Sequence, residues 1–188
     1  MKKELRKKYI SERNNLASDY RNLSTTIIFA TLEEQNFFES SEKIFIYVGF
    51  GSEITTETFI KKWINKKQIF VPKIENGKMN LIRLKSWDEL APGHFGVLEP
   101  TSSDYYEGKI DLVVTPSIVF DNNGYRLGYG KGYYDKYFSS REYDISVGLS
   151  YHKLLQYNVP KEDHDIKVDV IITEEKIFII NEKYNSNN

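Results

Sequence analysis

One short segment of the chain combines glycines with two cations and an acid. Three glycines occupy alternate positions in it, at Gly128, Gly130 and Gly132. Residues without a Cβ atom let backbone N–H groups approach a ligand closely, and they permit positive φ angles. Arg126 and Lys131 add a guanidinium and an ammonium, and Asp135 follows in the first turn of a helix predicted over residues 133–140. This pattern predicts a loop that binds phosphate beside a carboxylate for a metal ion.

The glycine spacing alone does not identify the ligand. The segment lacks the Gly-Lys-Ser/Thr end of a Walker A loop and the Gly-x-Gly-x-x-Gly spacing of a dinucleotide turn. A plain connection between a strand and a helix is therefore an alternative. The charges favour phosphate, because arginine is scarce in this lysine-rich chain and the planar fork of Arg126 suits bidentate phosphate contact.

Length and composition bound the class of protein. With 188 residues and a net charge of −1, the chain is expected to form one domain with no overall field to attract nucleic acid or an acidic membrane. Cysteine is absent, which excludes disulfides, thiol catalysis and cysteine zinc sites. The histidines, at positions 94, 152 and 164, lack paired ligand spacing. We expect a cytoplasmic protein, because charges at Glu12, Arg13 and Asp19 deny the basic start the apolar stretch of a signal peptide and no run reaches transmembrane length. We also expect a monomer.

Three helices are predicted in the first third of the chain. The first covers residues 2–22, with apolar positions near one face at Leu5, Tyr9, Leu16 and Tyr20. We interpret its cations as a solvated face, namely Lys2, Lys3, Arg6, Lys7 and Arg13. The second helix is expected to follow Ser24 as its N-cap, and the third to run from Thr56 through Lys66.

Short apolar runs predict a buried sheet. They lie at residues 43–48, 68–72, 79–84, 110–116, 145–149 and 168–172, with a possible edge strand at 176–180. Pro72 is expected to stop the second of them. The predicted fold is α/β, a three-layer sandwich in which helices cover both faces of a mainly parallel sheet. One domain spans residues 1–188, with 181–188 as a frayed tail.

Together these features resemble the 5-formyltetrahydrofolate cyclo-ligase family, also called methenyltetrahydrofolate synthetase. The most specific match is the segment 124–135, and further matches in the same order lie at residues 2–6, 51–53, 95–100 and 164–169. The resemblance implies closure of 5-formyltetrahydrofolate to 5,10-methenyltetrahydrofolate, driven by ATP and Mg²⁺ with release of ADP and phosphate. The formyl oxygen is expected to take the γ-phosphoryl group before N10 closes the ring.

The resemblance also implies roles for individual residues. ATP binding falls to Lys2, Arg6, Arg126, Leu127, Gly128, Tyr129, Gly130, Lys131, Gly132, Tyr133 and Tyr134. The resemblance assigns the folate pocket to Val48, Glu53, Phe95 and Tyr133. It assigns catalytic roles to Arg126, Lys131 and Tyr133, and Mg²⁺ binding to Asp135 and Asp165. Only the backbone of Tyr129 is assigned, because that position varies in the family.

Two structural questions are open at this point. Phe95, taken alone, is a core residue or a stacking partner for a flat ligand. Of Tyr133 and Tyr134 only one can face the ligand, because adjacent helical residues point about 100° apart. Arg126 and Lys131 are both expected outside the core.

Two other functions compete with this interpretation. Residues 128–133 resemble the aromatic strand of a single-stranded RNA-binding module, although the chain is not basic and Lys131 and Gly132 interrupt the alternation. A different ATP-dependent phosphoryl-transfer enzyme could use the same loop on another small molecule. Neither alternative accounts for the ordered matches outside the loop.

Overall fold

A computed structural model describes residues 1–140 and 142–185 of the chain. Its helices are α1 (Lys2–Asn14), α2 (Ser18–Glu33), α3 (Asn36–Glu39), α4 (Glu57–Trp63) and α5 (Tyr133–Ser140). Its strands are β1 (Lys43–Ile46), β2 (Gln68–Glu75), β3 (Lys78–Leu84), β4 (Leu90–Pro92), β5 (Leu98–Pro100), β6 (Tyr105–Tyr106), β7 (Ile110–Thr115), β8 (Val119–Phe120), β9 (Arg126–Leu127), β10 (Tyr143–Leu149), β11 (Val170–Ile172) and β12 (Ile177–Ile179).

Eight of the described strands form one sheet in the order β12-β11-β10-β7-β1-β2-β3-β6. The five strands from β11 to β2 are parallel, and the outer strands β12, β3 and β6 pair antiparallel. β1 lies at the centre, where Ile44 is opposite Leu112 of β7 and Ile69 of β2. Because the parallel strands run the same way, their carboxyl ends meet at one edge of the sheet.

Alternate residues of β1 face two different helical layers. Phe45 points to α5, where it stacks on Tyr134 at 5.8 Å between ring centroids. Ile44 and Ile46 belong to the larger core on the opposite face, which includes Ile28 of α2. The described residues therefore confirm helices on both faces of a mainly parallel sheet, the predicted three-layer arrangement.

The predicted boundary between the first two helices is wrong. α1 ends at Asn14 and α2 begins at Ser18, so the chain turns inside the single helix expected over residues 2–22. Asn14 and Asn15 have low helix propensity, and Asp19 favours a new first turn because of the helix dipole. Ser24, expected as an N-cap, is buried inside α2.

Pro72 does not stop its strand, contrary to prediction. β2 continues to Glu75, and Pro72 is opposite Leu81 of β3. β1 pairs with β2 only as far as Phe70, so beyond that residue one side of β2 has no partner strand among the described residues. A residue without an N–H group is tolerated at such an edge.

The last described residues are folded against the rest of the chain. Of the segment expected to fray, 181–188, Glu182–Tyr184 forms a 3-10 turn, and the Tyr184 ring lies 6.4 Å from that of Phe37. Residues 186–188 lie outside the described residues. Every helix in the described part is too short or too polar to span a bilayer.

Candidate active site

Helix α1 lies against the glycine-rich loop, residues 124–132, which ends at α5. Lys2, Arg6, Tyr9 and Arg13 recur at intervals of four, three and four residues, so they share one helical face. The Arg6 Nε atom donates to the Gly128 carbonyl oxygen at 2.7 Å, and Lys2 Nζ lies 3.7 Å from an Asp165 oxygen. The expectation of a solvated cationic face holds for Lys3 and Lys7 but is wrong for Arg13, which is 5% exposed.

Among the loop glycines at alternate positions 128, 130 and 132, two have conformations that favour glycine and one does not. Gly130 has φ +95° and Gly132 has φ +66°, both in the left-handed region. Gly128 has no positive φ, and a Cβ atom built on it would meet no protein atom within 4 Å. The protein's own packing therefore does not require glycine at 128, and the backbone beside it is open.

Lys131 is the unpaired cation of this loop. Its side chain is exposed and makes no hydrogen bond or ion pair within residues 1–140 and 142–185. The flanking residues 128–132 lie in no strand. That placement gives no support to an RNA-binding strand at this position.

Arg126, by contrast, points into the protein. Its Nη1 donates to the Ile166 carbonyl oxygen at 2.6 Å, and its Nη2 to Asp135 Oδ1 at 2.6 Å. The guanidinium lies 5.1 Å from the centre of the Phe138 ring, and its side chain is 6% exposed. Burial lowers the pKa of Arg126, and the charge of Asp135 opposes that shift. The expectation that Arg126 lies outside the core is wrong.

The two predicted metal ligands have different surroundings. Asp135 Oδ1 also accepts the Ile166 N–H at 3.0 Å, whereas Oδ2 accepts no hydrogen bond from the described residues. Asp165 lies with Glu162 and His164 in a group whose ligand atoms are within 4.8 Å of one another. Asp135 is next to the segment that carries Asp165 but is not a member of that group.

Glu53 is a buried acid in the turn between β1 and α4, residues 49–54, which we call the Glu53 turn. It is 5% exposed, and its Oε1 accepts the Phe50 N–H at 3.3 Å. Burial raises the pKa of Glu53 to about 7, and the nearby charge of Arg13 opposes the rise. Val48, the other predicted pocket residue from this region, is buried where β1 ends.

Arg13 is the residue that sequence reasoning missed. Its Nε donates to Ser52 Oγ at 2.9 Å, its Nη1 to the Ser117 carbonyl oxygen at 3.2 Å and its Nη2 to the Tyr129 hydroxyl at 2.9 Å. It lines a cavity of about 20 Å³ with Glu53, enough space for one water molecule. The sequence did contain one indication of this placement: Arg13 follows Tyr9 by four residues, so both lie on the same face of the helix.

The two aromatic residues predicted for the folate pocket lie in separate places. Phe95 is at the tip of the β4–β5 hairpin, 99% exposed with φ +56°, so its interpretation as a core residue is wrong. No contact joins Phe95 to Glu53 among the described residues. Tyr133 lines a cavity of about 220 Å³ together with Lys78 and Lys136, while Tyr134 stacks on the sheet. Of the two tyrosines, Tyr133 is therefore the one that borders a cavity, and no other predicted site residue in the described part of the chain lines that cavity.

Comparisons with known proteins agree with one another. A family model described as the 5-formyltetrahydrofolate cyclo-ligase family matches residues 1–174. A probable 5-formyltetrahydrofolate cyclo-ligase of Caenorhabditis elegans is 26% identical over 196 residues, covering 95% of this chain and 95% of the relative. The 5-formyltetrahydrofolate cyclo-ligase of Mus musculus is 27% identical over 176 residues, covering 85% of this chain and 87% of the relative.

Solved structures resemble this one in fold. The NMR structure of Aquifex aeolicus 5,10-methenyltetrahydrofolate synthetase has a TM-score of 0.85 and 31% identity, covering 95% of this chain and 92% of that chain. A 5,10-methenyltetrahydrofolate synthetase from Mycoplasma pneumoniae has a TM-score of 0.70 and 22% identity, covering 92% of this chain and 98% of that one. At that identity the second likeness shows the fold alone.

Proposed function

Because the chain belongs to the 5-formyltetrahydrofolate cyclo-ligase family, we propose that it closes 5-formyltetrahydrofolate to 5,10-methenyltetrahydrofolate with ATP and Mg²⁺. The single observation that supports ATP binding is the open backbone at Gly128 near Lys131, which is unpaired within the described residues. A glycine that neither its φ angle nor its neighbours require suits a backbone that a phosphate group approaches closely.

The reaction needs activation before ring closure. The formyl group on N5 is amide-like, so its carbon is a poor electrophile. The formyl oxygen attacks the γ-phosphorus of ATP, a new P–O bond forms, and the bond to the β-phosphate oxygen breaks to release ADP. N10 then attacks the activated carbon and loses its proton, the C–O bond breaks, and phosphate leaves. This sequence requires alignment and charge neutralisation, with no covalent nucleophile from the protein.

Lys131 is the side chain best placed to neutralise the phosphoryl group. It is exposed and unpaired within the described residues, so no protein contact has to break before it meets a ligand. The N–H groups of the glycine-rich loop complete the anion site. Arg6, bonded to the Gly128 carbonyl oxygen, orients the loop from α1. We assign Arg126 to positioning, because both of its Nη atoms already hold Asp135 and Ile166.

The residues near the loop suit magnesium in their chemistry. Mg²⁺ takes carboxylate oxygens together with several waters, and Asp135 Oδ2 accepts no hydrogen bond from the described residues. Asp135 and Asp165 are the carboxylates that would hold the ion. When bound, magnesium supplies positive charge to the triphosphate.

The proposed binding of folate depends mainly on Glu53. A carboxylate accepts two hydrogen bonds side by side, which matches the N–C–N face of a pterin with its two donors. Its burial strengthens such bonds, since water does not compete for the carboxylate. Phe95 and Tyr133 are the aromatic surfaces that we assign to the remainder of the folate.

An absorbance assay tests the proposal. Purified protein with ATP, Mg²⁺ and 5-formyltetrahydrofolate should develop the near-ultraviolet band of methenyltetrahydrofolate, and the band should be absent when ATP is omitted. Replacing the folate by other phosphoryl acceptors checks for a different ATP-dependent activity. Folded protein that produces no band with any ATP and folate concentration would remove the proposal.

A further inference from the structure

A buried guanidinium connects the two halves of the site. The three contacts of Arg13 go to three separate segments: Ser52 in the Glu53 turn, Ser117 after β7 and Tyr129 in the glycine-rich loop. Ser52 directly precedes Glu53, and Tyr129 lies between Gly128 and Gly130. One side chain therefore touches both the turn assigned to folate and the loop assigned to phosphate.

Tyr129 is joined to the Glu53 turn in two ways, directly through Phe50 and indirectly through Arg13. Its hydroxyl accepts the Nη2 hydrogen bond from Arg13 at 2.9 Å, and its ring centroid lies 6.1 Å from that of Phe50. Phe50 in turn donates its N–H to Glu53 at 3.3 Å. A shift of the loop at Tyr129 therefore acts on the groups that fix the Glu53 carboxylate.

We propose that Arg13 and the Tyr129 hydroxyl form a latch through which nucleotide on the glycine-rich loop and folate at Glu53 strengthen each other's binding. The inference rests on the proposed function and adds Arg13 as a positioning residue. It gives the Tyr129 side chain a role, whereas the sequence assigned only the backbone at that position.

The physical basis of the coupling is the cost of ordering the loop. Glycines at 128, 130 and 132 leave many backbone conformations open, and a ligand must restrict them. Whichever ligand binds first further restricts the segments that the Arg13–Tyr129 bond joins, and with them the other half of the site. The second ligand then meets a loop that is already ordered, so it binds more tightly. Because coupling free energy is reciprocal, each ligand must raise the affinity of the other by the same factor.

The geometry explains why arginine is required. Its guanidinium is a rigid planar fork that donates in three directions at once, here to a hydroxyl, a carbonyl and a phenol. Lysine keeps the charge but concentrates its donors on one flexible atom. Arg13→Lys therefore preserves the charge near Glu53 and removes the three-way connection.

Calorimetric titration measures the coupling directly. The probes are 5-formyltetrahydrofolate and the β,γ-methylene analogue of ATP with Mg²⁺, each titrated alone and then with the other present. The wild-type protein is expected to show affinities raised about 5- to 20-fold in both directions, within the usual range for coupled sites. In Tyr129→Phe, which removes one oxygen and keeps the ring, the factor should fall close to one.

Two further variants separate the latch from a general loss of structure. Arg13→Lys should lower the factor as Tyr129→Phe does, and Lys7→Gln, on the exposed side of the same helix, should keep the wild-type factor. Thermal unfolding identifies any variant that fails to fold. If Arg13→Lys fails, Tyr129→Phe alone decides, because its ring is partly exposed and its substitution removes no apolar contact.

The outcomes distinguish the latch from the proposed function. Wild-type protein that forms no methenyltetrahydrofolate overturns both. Wild-type protein that is active but binds the two ligands independently overturns the latch alone, as does an unchanged factor in a folded Tyr129→Phe variant. Steady-state kinetics gives the same test: the folate KM should fall as ATP rises in the wild type and stay constant in Tyr129→Phe.

Discussion

The exposed and the buried cations around the glycine-rich loop use positive charge in opposite ways. Lys131 on the loop is exposed and has no ion pair within the described residues. Arg13 is 5% exposed and bonded to three parts of the chain, and Arg126 is likewise turned inward onto Asp135. Charges of the first kind are available to a ligand, while those of the second kind shape the protein around it.

This difference separates catalytic from structural effects of substitution. An exposed cation contributes little to the folded state, because water screens it. A buried cation that loses its partner is costly, because the remaining charge has no solvent. Removing an exposed charge should therefore slow the reaction, and removing a buried one should lower stability.

The largest effect is expected for Arg126→Ala. It leaves Asp135 without its buried partner and the Ile166 carbonyl oxygen without its donor. The free energy of unfolding should fall by about 3–5 kcal/mol, measured by urea denaturation. Arg83→Ala, which removes an exposed arginine of β3, is the control. A stability equal to the wild type would contradict the structural role of Arg126.

Lys131→Ala should affect the reaction and leave the fold unchanged. Loss of one group that stabilises transferring charge typically costs about 2.7–4 kcal/mol of barrier, roughly a hundred- to thousand-fold in turnover. The methenyl absorbance assay measures the rate, with exposed Lys85→Ala as the matched variant. Turnover near the wild-type rate, or a large drop in melting temperature, would contradict a catalytic role for Lys131 that differs from the structural role of Arg126.

Glu53 supplies a test that depends on pH. Because its folded pKa is raised to about 7 from 4.5, the neutral form stabilises the fold fully below about pH 4.5, and this stability is lost as pH rises through about 7. The wild type should lose about 3 kcal/mol relative to Glu53→Gln between pH 4.5 and 8. Urea denaturation at several pH values measures the difference, with exposed Glu34→Gln as the control. A pH-independent difference would place Glu53 outside a buried environment.

The same acid should govern folate binding in the opposite sense. If the ionised carboxylate accepts the pterin donors, kcat/KM for folate should rise with pH through about 7 and then level off. Stability and activity would then have opposite pH dependences at one residue. A kcat/KM for folate that stays constant between about pH 6 and 8, which brackets this pKa, would argue against Glu53 as the acceptor.

The smallest effect is expected at the exposed hairpin. Phe95→Ala should raise the folate KM about tenfold, from the loss of one stacked ring and its apolar area. The ATP KM and the melting temperature should not change, because the ring is 99% exposed. Tyr157→Ala removes another exposed aromatic and serves as the control. An unchanged folate KM would exclude Phe95 from the pocket.

Sequence patterns predicted the parts of the molecule that depend on local chemistry. The apolar runs that became β1, β3, β7 and β10 were recognisable because strands buried on both faces have few alternatives. α5 matches the predicted range 133–140. The end of the first helix and the course of the chain through Pro72 depended on tertiary partners, which periodicity does not reveal.

The sequence did not predict which charged side chains point into the protein and which point into solvent. Arg13, Arg126 and Lys131 are all cations near the same loop, and composition gives no reason to treat them differently. Whether a cation faces inward depends on acceptors far away in the chain, such as Ser117 for Arg13 and Ile166 for Arg126. The roles assigned to individual site residues stay predictions, while the placement of Arg13 came only from the fold.

Helix α1 is translated well before the segments that carry two of its partners. Arg13 bonds to Ser117 and Arg6 to Gly128, so both contacts join positions more than a hundred residues apart. On a translating ribosome, at roughly 5–20 residues per second, the helix waits on the order of ten seconds for these acceptors to emerge. Throughout that interval the nascent chain carries two arginines of α1 without the acceptors that they contact in the folded protein.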